Sequence, residues 1–192
     1  MKAYQMCVVL GIALSTVLPA VAQKKVLDHS VYDTWKSLSN IEITNDGKYS
    51  VAIVKEQEGD DYLLIRNLKS QKELVLPRGY TYTVTPDQKN VVAQIKAPYA
   101  VTRQAKIKKT ADEKLPKDSL AIISLDKFTV SKIPNVKSYK IGKDYSDYVA
   151  YTLDDTTKVK DKKDVKAYSL VLRNLYSAKE DTIKHATEYV FS

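Results

Sequence analysis

Residues 43–53 read Ile43-Thr44-Asn45-Asp46-Gly47-Lys48-Tyr49-Ser50-Val51-Ala52-Ile53, and residues 84–94 read Val84-Thr85-Pro86-Asp87-Gln88-Lys89-Asn90-Val91-Val92-Ala93-Gln94. Both stretches run an apolar segment into an Asp-containing turn and leave it through a second apolar segment. A looser third copy spans Ile141-Gly142-Lys143-Asp144-Tyr145-Ser146-Asp147-Tyr148-Val149-Ala150-Tyr151. Asp46-Gly47 supplies the chemistry of a tight reversal, because glycine accepts positive φ without a Cβ clash. Each unit therefore opens with two strands around an Asp turn.

A second half follows each time. Tyr62–Leu68, Leu120–Leu125 and Tyr168–Leu175 are strand-sized runs, each followed by a polar turn and a short apolar run: Glu73–Leu76, Phe128–Val130 and Thr182–Ile183. Arg66-Asn67-Leu68 and Arg173-Asn174-Leu175 match residue for residue. Runs rich in Val, Ile, Thr and Tyr that alternate with turns read as half-buried strands. Four antiparallel strands recurring every 40–60 residues or so are the signature of a β-propeller blade.

The expected fold class is all-β, a partial propeller of three blades at about 39–78, 79–134 and 135–184, with the first strand of a fourth at 185–192. Two Lys-rich insertions, 97–118 and 154–166, lengthen the second and third units and read as loop decoration. Before the first blade, Val31, Trp35 and Leu38 fall at helical spacing with Asp28 or Ser30 as N-cap candidates, which predicts a short helix. Propellers close with typically four to eight blades. Three blades and one strand do not close, so the sequence reads either as the front of a longer polypeptide or as a module completed by a partner.

Composition narrows the function. Of 192 residues, 44% are hydrophobic and 28% charged, as in a globular protein. The formal charge is +8, but only four of the 31 basic residues are Arg (Arg66, Arg78, Arg103 and Arg173). Guanidinium forks read bases and phosphates, whereas Lys on flexible stems solvates surfaces, so no nucleic-acid partner is expected. Residues 1–22 carry Lys2, an apolar run from Met6 to Leu18, Pro19 and Ala20-Val21-Ala22. This is the pattern of a signal peptide cut before Gln23, with export to the periplasm. Residues 23–192 hold no Cys, so neither disulfides nor thiolate chemistry is available to them. No later apolar stretch approaches 18 residues, and no membrane association is expected once the signal is removed.

The order of signal, Val31-Tyr32-Asp33-Thr34-Trp35-Lys36-Ser37-Leu38, the Asp46-Gly47 blade, Leu64-Ile65-Arg66-Asn67-Leu68 and the Lys-rich stretch before Leu115-Pro116-Lys117-Asp118-Ser119-Leu120 resembles the N-terminal region of exported prolyl oligopeptidase-family serine peptidases of the Bacteroidetes type. The resemblance implies a propeller joined to a C-terminal α/β-hydrolase domain, with the propeller restricting entry to short peptides and a Ser-Asp-His triad cleaving them. It further implies that the partners of this segment are additional blades, the hydrolase domain and peptide ligands. The nucleophile elbow needs Gly-x-Ser-x-Gly. The five glycines here (Gly11, Gly47, Gly59, Gly79 and Gly142) never have Ser two positions later, so no catalytic residue is carried over.

The remaining candidates have plain readings. His29 and His185 lack a neighbouring nucleophile and acid in the sequence. Asp60-Asp61 and Asp154-Asp155 lie at strand ends without the Gly-pivoted loop of a calcium site. The runs Lys106–Lys109 and Lys158–Lys163 read as solvated loops. The tyrosines, among them Tyr49, Tyr82, Tyr148, Tyr151 and Tyr168, read as blade packing with the hydroxyl reaching water. Trp35 reads as a staple between the expected helix and the first blade. No catalytic, metal or cofactor site is expected in these residues. The rival reading is an exported, stand-alone propeller-like binding module that completes its sheet by oligomerising or by pairing with a partner.

Overall fold

Alternating side chains leave each strand one face to bury, and the chain solves this by stacking sheets face to face. The computed structural model describes residues 35–111, 114–144, 147–154, 157–158 and 166–190, all within one unit, Asp33–Ser192. The first sheet holds β1 (Lys36–Ile43), β2 (Tyr49–Glu56), β3 (Tyr62–Asn67) and β4 (Glu73–Pro77). The second holds β5 (Gly79–Val84), β6 (Asn90–Ile95), β7 (Ser119–Ser124) and β8 (Thr129–Pro134), with one helix, α1 (Tyr99–Ile107), between β6 and β7. The third holds β9 (Val136–Ile141), β10 (Tyr148–Leu153), the short β11 (Thr157–Lys158), β12 (Lys166–Asn174) and β13 (Glu180–Ala186).

Each sheet is an antiparallel meander in which every strand pairs with its sequence neighbour, apart from the two-residue β11, which flanks β12. None of the three closes on itself, so the architecture is a partial propeller of open blades. The register repeats: Ala52 faces Leu64, Ala93 faces Ala121, and Tyr151 faces Val171. Two cores lie between the sheets. Val51, Ile53, Leu63 and Ile65 of the first sheet meet Val91, Ala93, Ala121 and Ile123 of the second. On the opposite face of the second sheet, Val92, Leu120 and Ile122 meet Val149, Tyr151 and Val171 of the third. Covered on both sides, β6 is buried along its whole length. Each such Val or Ile contributes roughly 1.5–3 kcal/mol by leaving water.

Between sheets the chain turns a corner at one residue of positive φ, Arg78 (φ 65) after the first and Asn135 (φ 58) after the second. The Arg78 N–H donates to the Asp61 carbonyl at 2.7 Å, and the Arg78 carbonyl accepts the Lys96 N–H at 2.9 Å, which holds an unfavourable backbone in place. Gly79 follows because the backbones approach closely there: a Cβ would stand 2.8 Å from Leu63 Cβ.

Three expectations change. The short helix through Trp35 and Leu38 does not form over the described part. Lys36–Ile43 is a strand, because the exposed edge of β2 takes Leu38 opposite Val54 and Lys36 opposite Glu56. Residues 28–34 lie outside the described residues. Trp35 stands half-exposed just ahead of β1. The insertion 97–118 is not only loop, since it holds α1. Finally, β13 runs to Ala186, with a bulge between the pairs Tyr168–Ala186 and Leu170–Ile183. His185 (φ 60) stands at that bulge, so Ala186 still belongs to the third sheet, and residues 187–190 leave it unpaired.

Candidate functional site

The two ends of the sheets are built differently. At one end lie the Asp turns. Thr44 donates its hydroxyl to Asp46 Oδ1 at 2.7 Å and accepts the Tyr49 N–H at 3.0 Å. Thr85 does the same with Asp87 at 2.6 Å and the Asn90 N–H at 3.0 Å. The outer hairpins at this end explain the repeated Arg-Asn. Arg66 pairs with Glu73 and Arg173 with Glu180 across neighbouring strands. Asn67 Oδ1 accepts the N–H groups of Lys69 and Ser70, and Asn174 Oδ1 those of Tyr176 and Ser177.

At the other end residues 59–61, the corner at Arg78, and residues 96–106 and 115–118 line a cavity of about 340 Å³. Its wall carries Asp60, Asp61, Arg78, Lys96, Tyr99 and Asp118. Asp60 Oδ1 accepts the Tyr99 N–H at 2.9 Å. Pro98, at the N-cap, offers no side-chain bond, so Asp60 caps α1 from the neighbouring sheet. Asp118 closes the insertion: Oδ1 accepts the Ala97 N–H at 3.0 Å and Oδ2 the Tyr80 hydroxyl at 3.1 Å. Burial, then the Asp118 charge, pushes the Tyr80 phenol up to about 12. Lys96 Nζ sits 4.8 Å from the Tyr80 ring centroid. The carboxylates here hold backbone, and the cavity is a polar niche of small-ligand size.

A second cavity, of about 650 Å³, opens between the innermost strands β5 and β9, walled by Thr81, Thr83, Gln94, Tyr139, Lys140 and Val190 among others. Inner-strand tyrosines bridge the sheets beside it. The Tyr82 hydroxyl lies against the Asn40 carbonyl of β1 and 3.1 Å from the Val51 carbonyl, and Tyr139 donates to the Val92 carbonyl at 3.1 Å. Val51 and Val92 hold the same place in successive sheets. Tyr151 donates to Glu180 at 2.9 Å, and Tyr176 donates to Asp87 of the second sheet. The hydroxyls of Tyr80, Tyr82, Tyr139, Tyr151 and Tyr176 thus reach protein carbonyls and carboxylates rather than simply water. Pairing tyrosines with specific distant acceptors, across sheets for Tyr82, Tyr139 and Tyr176 and within one sheet for Tyr80 and Tyr151, is a three-dimensional fact that strand patterning does not carry.

The other sequence candidates separate. His185 is exposed at its corner, and His29 lies outside the described residues. Lys117 Nζ stands 3.5 Å from Asp154 Oδ2 and joins the ends of the two insertions, while Asp155 is not among the described residues. Lys106–Lys109 ends α1 at the surface; of Lys158–Lys163, only the backbone of Lys158 is described, in β11. Among the described residues, no three His, Cys, Asp or Glu side chains converge as a metal cluster would, and no helix is long and apolar enough to cross a membrane.

Comparison with known proteins places this geometry. No family model matches the chain. No curated protein matches it either. Solved structures do match in fold. The acylaminoacyl peptidase of Pyrococcus horikoshii superposes with a TM-score of 0.50 at 10% identity, over 84% of this chain and 27% of that one. The β-propeller domain of the Trilobed protease from Pyrococcus furiosus gives 0.47 at 14% identity, over 78% of this chain and 43% of that one. A prolyl endopeptidase gives 0.47 at 15% identity, over 79% of this chain and 23% of that one. The fold is that of the β-propeller portion of such peptidases, and the chain spans about a quarter of the length of the acylaminoacyl peptidase it matches.

Proposed function

We propose that this chain is the N-terminal propeller portion of an exported prolyl oligopeptidase-like serine peptidase, which gates and scaffolds the access of short peptides and does no chemistry by itself. The observation that carries the reading is the row of three sequential meanders stacked as in the acylaminoacyl peptidase propeller. The cavity between the inner strands supports a gating role, since a propeller offers its central face to whatever passes. The small-x-small pattern at Ala20–Ala22 supports export.

The test is made in cells. An antiserum to residues 23–192 should detect, in the periplasmic fraction, a polypeptide several times larger than 21.7 kDa. That band should react with a fluorophosphonate probe, which labels activated serines. Detection of only the 192-residue product, with no labelled species, overturns the proposal.

A further inference from the structure

The cavity at the insertion end gathers charges that do not neutralise one another. Arg78, Lys96 and Lys106 line it, and so do Asp60, Asp61 and Asp118. None of the three cations makes an ion pair among the described residues. Arg78 donates from Nη1 to the Lys96 carbonyl at 2.9 Å, and Lys96 Nζ lies over the Tyr80 ring. By contrast Arg103, which is not in the cavity wall, stands 4.0 Å from Glu58. The carboxylates are turned to backbone. Asp118 gives one oxygen to the Ala97 N–H and the other to the Tyr80 hydroxyl. Asp60 and Asp61 each accept one N–H through Oδ1, from Tyr99 at 2.9 Å and from Glu56 at 3.2 Å. Their Oδ2 atoms have no hydrogen-bond partner among the described residues.

The helix supplies a second observation. None of the residues of α1 is buried, so no core holds it down. Yet Tyr99, Thr102 and Lys106, spaced i, i+3 and i+7 along one face, all line the cavity. Val101 and Ile107 are not in its wall and stand 48% and 72% exposed. The face that a surface helix ordinarily lays on a core therefore borders an open space. Leu115 and Pro116 add an apolar part to the wall. At about 340 Å³ the space is at the small end of ligand sites, which run from about 300 to 1,000 Å³. Three cations and three carboxylates also leave the wall with no net charge, so it favours neither a bare anion nor a bare cation.

We infer that this cavity binds a small zwitterion, a free α-amino acid with a large apolar side chain. Its carboxylate goes to the cations of Arg78, Lys96 and Lys106, and its ammonium to the spare oxygens of Asp60 and Asp61. Its side chain lies against Tyr99, Leu115 and Pro116. Charge-assisted hydrogen bonds orient the ligand, and burial of its apolar part adds affinity. Both charges are needed, because an occupant with one of them leaves the opposite groups of the wall uncompensated. Binding would also tie the Asp60 loop and the Arg78 corner to α1. The inference stands on the cavity and the helix face and is independent of the peptidase reading.

The probe is L-phenylalanine, titrated into the purified chain and followed through amide proton–nitrogen correlation NMR. Saturable shifts are expected, concentrated in residues 59–61, Arg78 and residues 96–106. Hydrocinnamate, which lacks the ammonium, and phenethylamine, which lacks the carboxylate, should each bind at least tenfold more weakly. Lys106→Gln should weaken phenylalanine binding several-fold. So should Asp61→Asn, which keeps an acceptor for the Glu56 N–H; both variants should hold the urea midpoint of the wild type. No saturable shifts at these residues, equal binding of either one-charge analogue, or equal binding by wild type and both variants overturns the inference. Inorganic phosphate that shifts the same residues and displaces phenylalanine at equal concentration also overturns it, by making the cavity a plain anion site.

Discussion

The Asp-turn end and the insertion end of the sheets use the same residue type for opposite purposes. Asp46 and Asp87 are each held by a threonine two residues earlier and by the N–H two residues later, a local device within six residues, to which Asp87 adds one distant bond from the Tyr176 hydroxyl. Asp60 and Asp118 instead reach groups 39, 21 and 38 residues away. A device made of neighbours can be copied with its blade, and it is. A device that ties distant segments depends on what each insertion contributes, and no two blades share it. The difference separates what makes each sheet from what joins one sheet to its neighbour.

The sharpest way to break this comparison is at Asp118. Asp118→Ala leaves the Ala97 N–H and the Tyr80 hydroxyl without their acceptor, and should cost about 2–3 kcal/mol, the scale of hydrogen bonds to a charged group. The urea midpoint reads the loss, and an unchanged midpoint would mean that the insertion closes without it. Next is Thr85→Val, which keeps the shape but orphans the buried Asn90 N–H, at about 1–2 kcal/mol. Thr44→Val in the first sheet should cost a similar amount, because the bonds are the same. A twofold or larger disparity between them would show that the turns are copies in sequence but not in energy.

Asp60→Ala comes third, at about 1 kcal/mol for a lost helix cap. Its effect should be confined: amide exchange should quicken in Tyr99–Ile107, while β2 and β3 keep their protection. Spread of the effect into β2 would place Asp60 among the groups that hold the first sheet.

The same contrast decides what could be read from the chain alone. The meanders were legible because Thr44–Ile53 and Thr85–Gln94 repeat a local device, and alternation fixes which residues of β6 face which neighbour. The helix over Tyr99–Ile107 was not, since no side chain of its own caps it and none of its residues is buried. Its stability is supplied by Asp60, across a sheet boundary. Trp35 and Leu38 misled for a related reason: helical spacing over three apolar residues was outweighed by the unpaired edge of β2. The tyrosine bridges were hidden too, because Tyr82 and Tyr139 look like ordinary strand residues until Val51 and Val92 are placed beside them.

The smallest effect, and the finest test, comes from pH. The Thr44 hydroxyl first, then the Lys48 ammonium and N–H, hold the Asp46 carboxyl down to about 2. Burial pushes Asp87 up, but bonds from Thr85, Tyr176 and the Lys89 N–H outweigh it and leave the group low. A carboxyl depressed in the folded state contributes stability fully above its unfolded pKa of about 4, and the contribution fades as pH falls toward the folded value. At the other end the sign reverses. Tyr80, pushed up to about 12 by burial and then by Asp118, favours the fold fully below about pH 10, and that contribution is lost as pH rises through its folded value. Acid should therefore loosen the turn end and alkali the insertion end. Thr44→Val should flatten the fall of the urea midpoint between pH 4 and 2 and leave the alkaline limb alone. Tyr80→Phe should remove one late-ionising phenol from the absorbance titration at 295 nm and leave the acid limb alone. If either substitution moves both limbs, the two ends are coupled through the sheets, and the division between local turn and distant tie fails.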